Sequence, residues 1–196
     1  MRKKPAVFLD VDGTLTGTKS REPFKQHPHD VEVMPGVAEA LNFHKKQGYR
    51  LIAVSNQGGV PQYKSLQEVV SEMEFTLSLL PQLEVIIFAP GFSGDECYVV
   101  SLPDGNLSSS HLLKITRTKK HESFRKPGWG MLQVIEGIDL DSSWMVGDRP
   151  EDEGCATAAG LNFMWAADWL THFLGLSPAP EDLKLIQFLE VESVSF

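Results

Sequence analysis

An open α/β fold, a parallel sheet wound with helices on both faces, is the architecture this sequence predicts. Three observations predict it. Apolar runs of strand length alternate with segments of helical spacing. Four of the segments carrying polar residues stand where a strand has just ended or a helix is about to begin. At 196 residues, the chain fits one domain of ordinary size, with enough length to bury a core without disulfide staples.

The elements follow in order. Pro5 to Leu9 is an apolar, β-rich run that stops at an acidic turn, which reads as a buried strand. Residues 13–34 are polar and irregular, include His27-Pro28-His29, and are taken as a flap. Pro35-Gly36 opens a helix to about Gln47, with Val37, Leu41 and His44 on one face and Gly48 as its stop. Tyr49 to Val54 is the second strand. Gln62 to Leu80 has helical spacing in Leu66, Val69, Val70, Met73 and Leu77, and ends at Pro81. Leu83 to Ala89 is the third strand.

Residues 90–125 break the rhythm and are taken as a small insertion. Tyr98-Val99-Val100 and Leu112 to Thr116 read as short strands around a turn at Pro103-Asp104-Gly105-Asn106. Pro127 to Ile138 is expected to be a helix with proline at its start. Trp144 to Gly147 is the fourth strand, Glu151 to Ala159 a helix capped by Gly160, and Leu161 to Trp165 the fifth strand. Two short helical stretches follow. The expectation is a single domain over 1–196, with no large cap domain.

Composition bounds the function. Hydrophobic residues are 42% and charged residues 22%, the balance of a soluble globular chain. The longest apolar runs, such as Val85 to Ala89, are too short to cross a bilayer. Ala6 to Leu9 is too short for a signal peptide, so the expected location is the cytoplasm. Cys97 and Cys155 form no C-x-x-C pair. Cys155, among small residues, reads as a buried helix position. The net charge of −8 disfavours generic binding to nucleic acid or anionic membrane. The charge is uneven, however: from Glu136 onward there are twelve acids and two bases, while His111 to Lys126 holds six bases and one acid.

The polar segments are Asp10-Val11-Asp12-Gly13-Thr14, Ser55-Asn56-Gln57, Arg125-Lys126-Pro127 and Gly147-Asp148-Arg149-Pro150-Glu151-Asp152. Open α/β sheets bind ligands at the carboxyl ends of their strands. The first segment is not an EF-hand loop, which would need Gly where Leu15 stands and Glu where Arg21 stands. In order and context, the four together resemble the haloacid dehalogenase superfamily of phosphohydrolases. The resemblance covers nearly the whole chain apart from the insertion. It is closest to the branch containing histidinol-phosphatase, heptose-bisphosphate phosphatase and the phosphatase domain of polynucleotide kinase.

That resemblance implies a magnesium-dependent phosphomonoesterase. A carboxylate is a weak nucleophile and a phosphate monoester repels it; a divalent cation between them removes the repulsion. Mg²⁺ favours oxygen ligands. Asp10 and Asp148 would supply carboxylates, and the backbone carbonyl of Asp12 completes the set the family uses. Asp10 is the implied nucleophile, forming a phosphoaspartate. Asp12 is the implied acid and base at the leaving oxygen and the attacking water. Ser55, the backbone N–H of Asn56 and Lys126 would hold the phosphoryl group. Asp152 would orient Lys126 or a metal-bound water. Arg125 and Arg149 are candidates to steer substrate, and Arg149 reads equally as an ion-pair partner for Glu151 or Glu153.

Relatives acting on heptose bisphosphate and histidinol phosphate usually carry a Cys/His zinc loop before Arg-Lys-Pro. Cys97, His111 and His121 make a poor tetrahedral set, so no zinc is expected. In its place stand Lys114, Arg117, Lys119, Lys120, Arg125 and Lys126, either a solvated loop or a collar for a polyanion. The expected substrate is a small phosphorylated metabolite. A nucleic-acid 3′-phosphate end is the alternative, and a catalytically silent phosphate-binding scaffold a further one.

Overall fold

The computed structural model of the chain describes residues 3–103 and 105–174. In order, the elements are β1 (Ala6–Leu9), β2 (Thr16–Gly17), β3 (Glu32–Val33), α1 (Val37–Lys46), β4 (Arg50–Gln57), α2 (Leu66–Leu79), β5 (Val85–Pro90), β6 (Glu96–Ser101) and β7 (His111–Thr116), then β8 (Trp144–Gly147), α3 (Pro150–Ala159), β9 (Asn162–Trp165) and α4 (Ala166–Phe173). Seven strands form one sheet in the order β7-β6-β5-β4-β1-β8-β9. The five expected strands are β1, β4, β5, β8 and β9, and all pair in parallel.

Both faces of this sheet are covered, as a parallel sheet requires. Alternate residues of each central strand enter opposite apolar clusters. Val7, Leu9, Leu51, Ala53, Ile86 and Phe88 face one side with Leu41 of α1, Met73 of α2 and Trp169 of α4. Ala6, Phe8, Ile52, Val54, Ile87 and Ala89 face the other with Phe124, Met131, Leu132 and Cys155 of α3. Each fully buried Phe or Leu contributes about 1.5–3 kcal/mol relative to leaving it exposed.

The insertion forms an antiparallel hairpin. β6 pairs with β5 and β7 with β6, so β7 becomes the outer edge of the sheet. β7 is largely exposed, with Leu112 and Leu113 facing solvent. The 13–34 segment is not wholly irregular: β2 and β3 pair antiparallel. Asp30, buried, accepts from the backbone N–H of Ser20 and Gln26 and from the Ser20 hydroxyl, closing the segment on itself.

One expected helix is absent. Within 127–138 the chain makes only a short 3-10 turn, Gly130–Val134. The cause is a close approach. The Gly130 N–H donates to Ser123 O, and a Cβ on Gly130 would overlap the carbonyl of Glu122. A helix cannot form while its glycines are drawn flat against residues 122–125. α2 begins later than expected, at a capping box in which Ser65 and Glu68 satisfy each other's backbone N–H. Of the two helical stretches expected after the fifth strand, α4 is the first; the second lies outside the described residues.

Candidate active site

β1 is the first strand of the chain, and it lies between β4 and β8. The chain winds outward from it in one direction through β4 and β5, and in the other through β8 and β9. This reversal opens a crevice beyond the strand ends. Asp10 stands at that point, its N–H donating to Val146 O at 2.9 Å. Asp148 follows the end of neighbouring β8. Gly13 has φ +90, and a Cβ there would overlap Asp148 Oδ2. A Cβ on Gly147 would overlap the Asp152 carboxyl. Two glycines therefore let two turns close onto one group of carboxylates.

Lys126 reaches that group from a site 116 residues along the chain. Its buried ammonium lies 2.5 Å from Asp10 Oδ1, 2.6 Å from Asp152 Oδ1 and 2.9 Å from Val54 O. Three acceptors use its three donors. Asn56 secures the loop that delivers it: its Nδ2 donates to Lys126 O and its Oδ1 accepts from Lys126 N, both at 2.9 Å. The Asn56 side chain thus does the work of a neighbouring strand.

Burial pushes the Asp10 carboxyl up to about 7; Lys126 pulls against this, and Asp152 and Asp12 add repulsion. Burial alone would lower the Lys126 ammonium, but Asp10 and Asp152 outweigh it and the direction is upward. Asp148 is also raised, first by burial and then by Asp152. One lysine beside three acids leaves the site short of positive charge. Among the described residues, ligand oxygens of Asp10, Asp148 and Asp152 lie within 4.8 Å of one another. Hard oxygen donors with uncompensated charge fit Mg²⁺.

Asp12 faces elsewhere. Its Oδ1 accepts from Lys25 Nζ at 2.5 Å and its Oδ2 from Gln57 Nε2 at 2.8 Å. Desolvation by the surrounding protein would raise this carboxyl, but Lys25, then Gln57, hold it below its ordinary value. Gln57 also donates to the Ser55 hydroxyl at 2.9 Å. Lys25 and Glu72 were not singled out in the sequence, and Gln57 stood in the Ser55-Asn56-Gln57 segment without a role of its own. Lys25 looked like one more charge in a polar segment. Glu72 carried a signal, because it falls among Val69, Val70, Met73 and Thr76, the buried stripe of α2.

The arginines stand further out. Arg125 donates to Gly91 O at 2.8 Å and lies over the Phe92 ring, 4.5 Å from its centroid. Arg149 has a side chain 70% exposed and its Nε 4.0 Å from Asp148 Oδ2. Neither Glu151 nor Glu153 pairs with it among the described residues. The basic run is not one collar. In the hairpin register His111 sits opposite Ser101, and Thr116 opposite Glu96 beside the end of β5. The run therefore starts at the far end of the sheet and climbs to the crevice side. Only Arg117 to Arg125 lie on that rim. Lys114 pairs with Glu96 and covers the Tyr98 ring, and Arg117 pairs with Asp95 at 3.6 Å. Cys97 is buried within the sheet, which pushes its thiol up to about 12.

Comparison with known proteins adds to this geometry. A sequence profile described as polynucleotide kinase 3 phosphatase matches residues 5–151. The D-glycero-beta-D-manno-heptose-1,7-bisphosphate 7-phosphatase of Photorhabdus laumondii is 32% identical over 161 residues, covering 80% of this chain and 77% of the relative. The crystal structure of a haloacid-dehalogenase-like phosphatase from Mesorhizobium loti superposes with a TM-score of 0.61 at 20% identity, over 92% of this chain and 90% of that one. The D,D-heptose 1,7-bisphosphate phosphatase of B. bronchiseptica, complexed with magnesium and phosphate, gives a TM-score of 0.58 at 20% identity, over 81% of this chain and 78% of that one.

Proposed function

Since the chain belongs to the polynucleotide kinase 3 phosphatase family of the haloacid dehalogenase superfamily, hydrolases of phosphate monoesters, we propose that Asp10 is its nucleophile and Mg²⁺ its cofactor. The observation that carries this reading is the Asp10 carboxylate at the β1/β8 switch point, in contact with Lys126 and within one group with Asp148 and Asp152.

Asp10, Asp148 and Asp152 would hold the cation, with the Asp12 carbonyl as a further oxygen; it supplies charge neutralisation at the phosphoryl oxygens. The rest is done by the chain. An Asp10 oxygen attacks phosphorus and the bond to the leaving oxygen breaks, giving a phosphoaspartate. Asp12, in its minor protonated form, hands that proton to the leaving oxygen and becomes the carboxylate that Lys25 and Gln57 favour. Water then attacks the phosphoaspartate, Asp12 takes that water's proton, and phosphate departs from a restored Asp10. Lys126, fixed by Asp152 and Asn56, stabilises the transferring oxygens, a contribution of about 10²–10³ in rate for a donor of this kind. Ser55 and the Asn56 N–H add hydrogen bonds, and the 13–34 segment acts as a flap.

The substrate in this reading is a small phosphorylated sugar, supported by a relative that acts on a heptose bisphosphate and matches across most of its length. A second reading, a nucleic-acid 3′-phosphate end, is supported by the family's description and by the bases of the rim, Arg117 to Arg125.

The test is Asp10→Asn, assayed on heptose 1,7-bisphosphate, 3′-phosphorylated oligonucleotide and p-nitrophenyl phosphate with Mg²⁺. The variant should fold and lose turnover on every ester the wild type uses. Aluminium fluoride should inhibit the wild type alone. Turnover within tenfold of wild type in the variant would remove Asp10 as nucleophile.

A further inference from the structure

Among the buried charges that this chemistry leaves unused, Lys25 is a cation in direct contact with Asp12. Its side chain is 3% exposed, although it comes from the polar 13–34 segment. The ammonium's three donors meet three acceptors: Asp12 Oδ1 at 2.5 Å, Thr16 Oγ1 at 3.0 Å and Glu72 Oε1 at 3.0 Å. Glu72 is 2% exposed in the middle of α2, and its second oxygen takes Lys64 Nζ at 2.8 Å. Gln57 holds the remaining oxygen of Asp12. The result is a chain of alternating charges, Asp12–Lys25–Glu72–Lys64, that is neutral as a whole.

Such a chain is poor evidence for a stability device. Desolvating charges costs about as much as their attraction returns, and apolar residues of similar volume often serve better. What it does supply is position. The Asp12 side chain stays 47% exposed while Lys25 and Gln57 each hold one of its oxygens. It is gripped from behind and open in front. A proton donor acts only within hydrogen-bond reach of the atom it serves, so a carboxylate free to rotate would spend much of its time out of place.

We propose that Lys25 is a positioning residue for Asp12, with Glu72 as its anchor on α2. The flap segment thereby does two things at once: it packs against α2 and it sets the proton-transfer group. This inference rests on the reading of Asp12 as acid and base.

The test measures single-turnover phosphoryl transfer with Mg²⁺ from two esters, p-nitrophenyl phosphate and glycerol 3-phosphate. The first has a good leaving group and needs little protonation; the second needs it fully. Lys25→Met should slow the alkyl ester about 10- to 100-fold, within the range of general acid catalysis, and the nitrophenyl ester about threefold at most. Lys25→Arg, which keeps charge and donors, should restore most of the alkyl rate. The pair Lys25→Met with Glu72→Gln should regain thermal stability without regaining that rate. Asp12→Asn with Lys25→Met should be no slower than Asp12→Asn alone. Equal slowing of both esters by Lys25→Met would overturn the proposal, as would recovery of the alkyl rate in the paired variant. If Asp12→Asn is impaired and Lys25→Met is not, the positioning role alone falls. If Asp12→Asn matches wild type on the alkyl ester, the reading of Asp12 falls and the proposal with it.

Discussion

Gly13 shows how little space the site leaves. Its φ of +90 is costly for any residue with a Cβ, and the Cβ itself would meet Asp148. Gly13→Ala should therefore push Asp148 out of the carboxylate group before it unfolds the protein. The expected result is a rise of about tenfold or more in the Mg²⁺ concentration for half-maximal activity, equivalent to about 1.4 kcal/mol. Melting temperature should fall by only a few degrees. EDTA should abolish activity in both proteins, and Mg²⁺ should restore it in the wild type at the lower concentration. An unchanged Mg²⁺ requirement in the variant would separate Gly13 from the metal site. At this scale the sequence was informative wherever the family resemblance implied which strand ends are neighbours. Asp10 and Asp148 lie together because adjacent strand ends put them there. The link between Lys25 and Glu72 was not legible, because nothing in residues 13–34 fixes where that segment lies.

The elements were legible to the extent that their hydrogen bonds are local. The five parallel strands and α1 to α3 carry their periodicity in the sequence. Residues 127–138 did not, because a tertiary approach of Gly128 and Gly130 to residues 122–125 overrode a helical pattern. The docking of α4 on α1 shows an element contact with a readable consequence. Trp169 Nε1 donates to His44 Nε2 at 2.9 Å, and both side chains are fully enclosed. Burial, with His172 adding repulsion, pushes the His44 imidazole down to about 4 from an ordinary 6.5. The folded state thus binds a proton less readily than the unfolded one. The sign follows: stability is intact above pH 6.5 and declines as pH falls toward 4. By linkage the loss is about 2 kcal/mol by pH 5. Between pH 7.5 and pH 5, urea unfolding should show the wild type losing about 2 kcal/mol relative to His44→Gln. Glutamine can accept the Trp169 hydrogen bond without titrating. Asp10, whose burial gives the opposite slope, is common to both proteins and cancels.

Across the whole molecule, charge decides between the two substrate readings. The protein carries −8, yet the loop after β7 brings Arg117, Lys119 and Lys120 to the crevice rim. Each phosphate neutralised adds about −0.9 to the slope of log affinity against log salt on duplex, so three engaged bases would give about −2 to −3. Changing these three to Ala should flatten that slope for a 3′-phosphorylated oligonucleotide while leaving kcat on p-nitrophenyl phosphate within about twofold, since none touches the carboxylate group. A salt-insensitive wild type would leave the sugar phosphate as the sole substrate class. Lys114 is left out of the triple change because it sits within β7, opposite Tyr98, and not in the loop on the rim.

The place of β1 has a consequence for how this chain comes to be folded. Its partner on one side, β4, is made soon after it, but its partner on the other, β8, begins only at Trp144. Until the ribosome has passed that point, Ala6-Val7-Phe8-Leu9 is an unfinished edge with its N–H and C=O groups unpaired toward the missing strand. Such an edge is the surface on which nascent chains pair wrongly with one another. The residue that completes Asp10's backbone hydrogen bond, Val146, arrives with the strand that closes this edge. Assembly of the crevice and protection of the central strand are therefore a single late event in synthesis, and a partly made chain has neither.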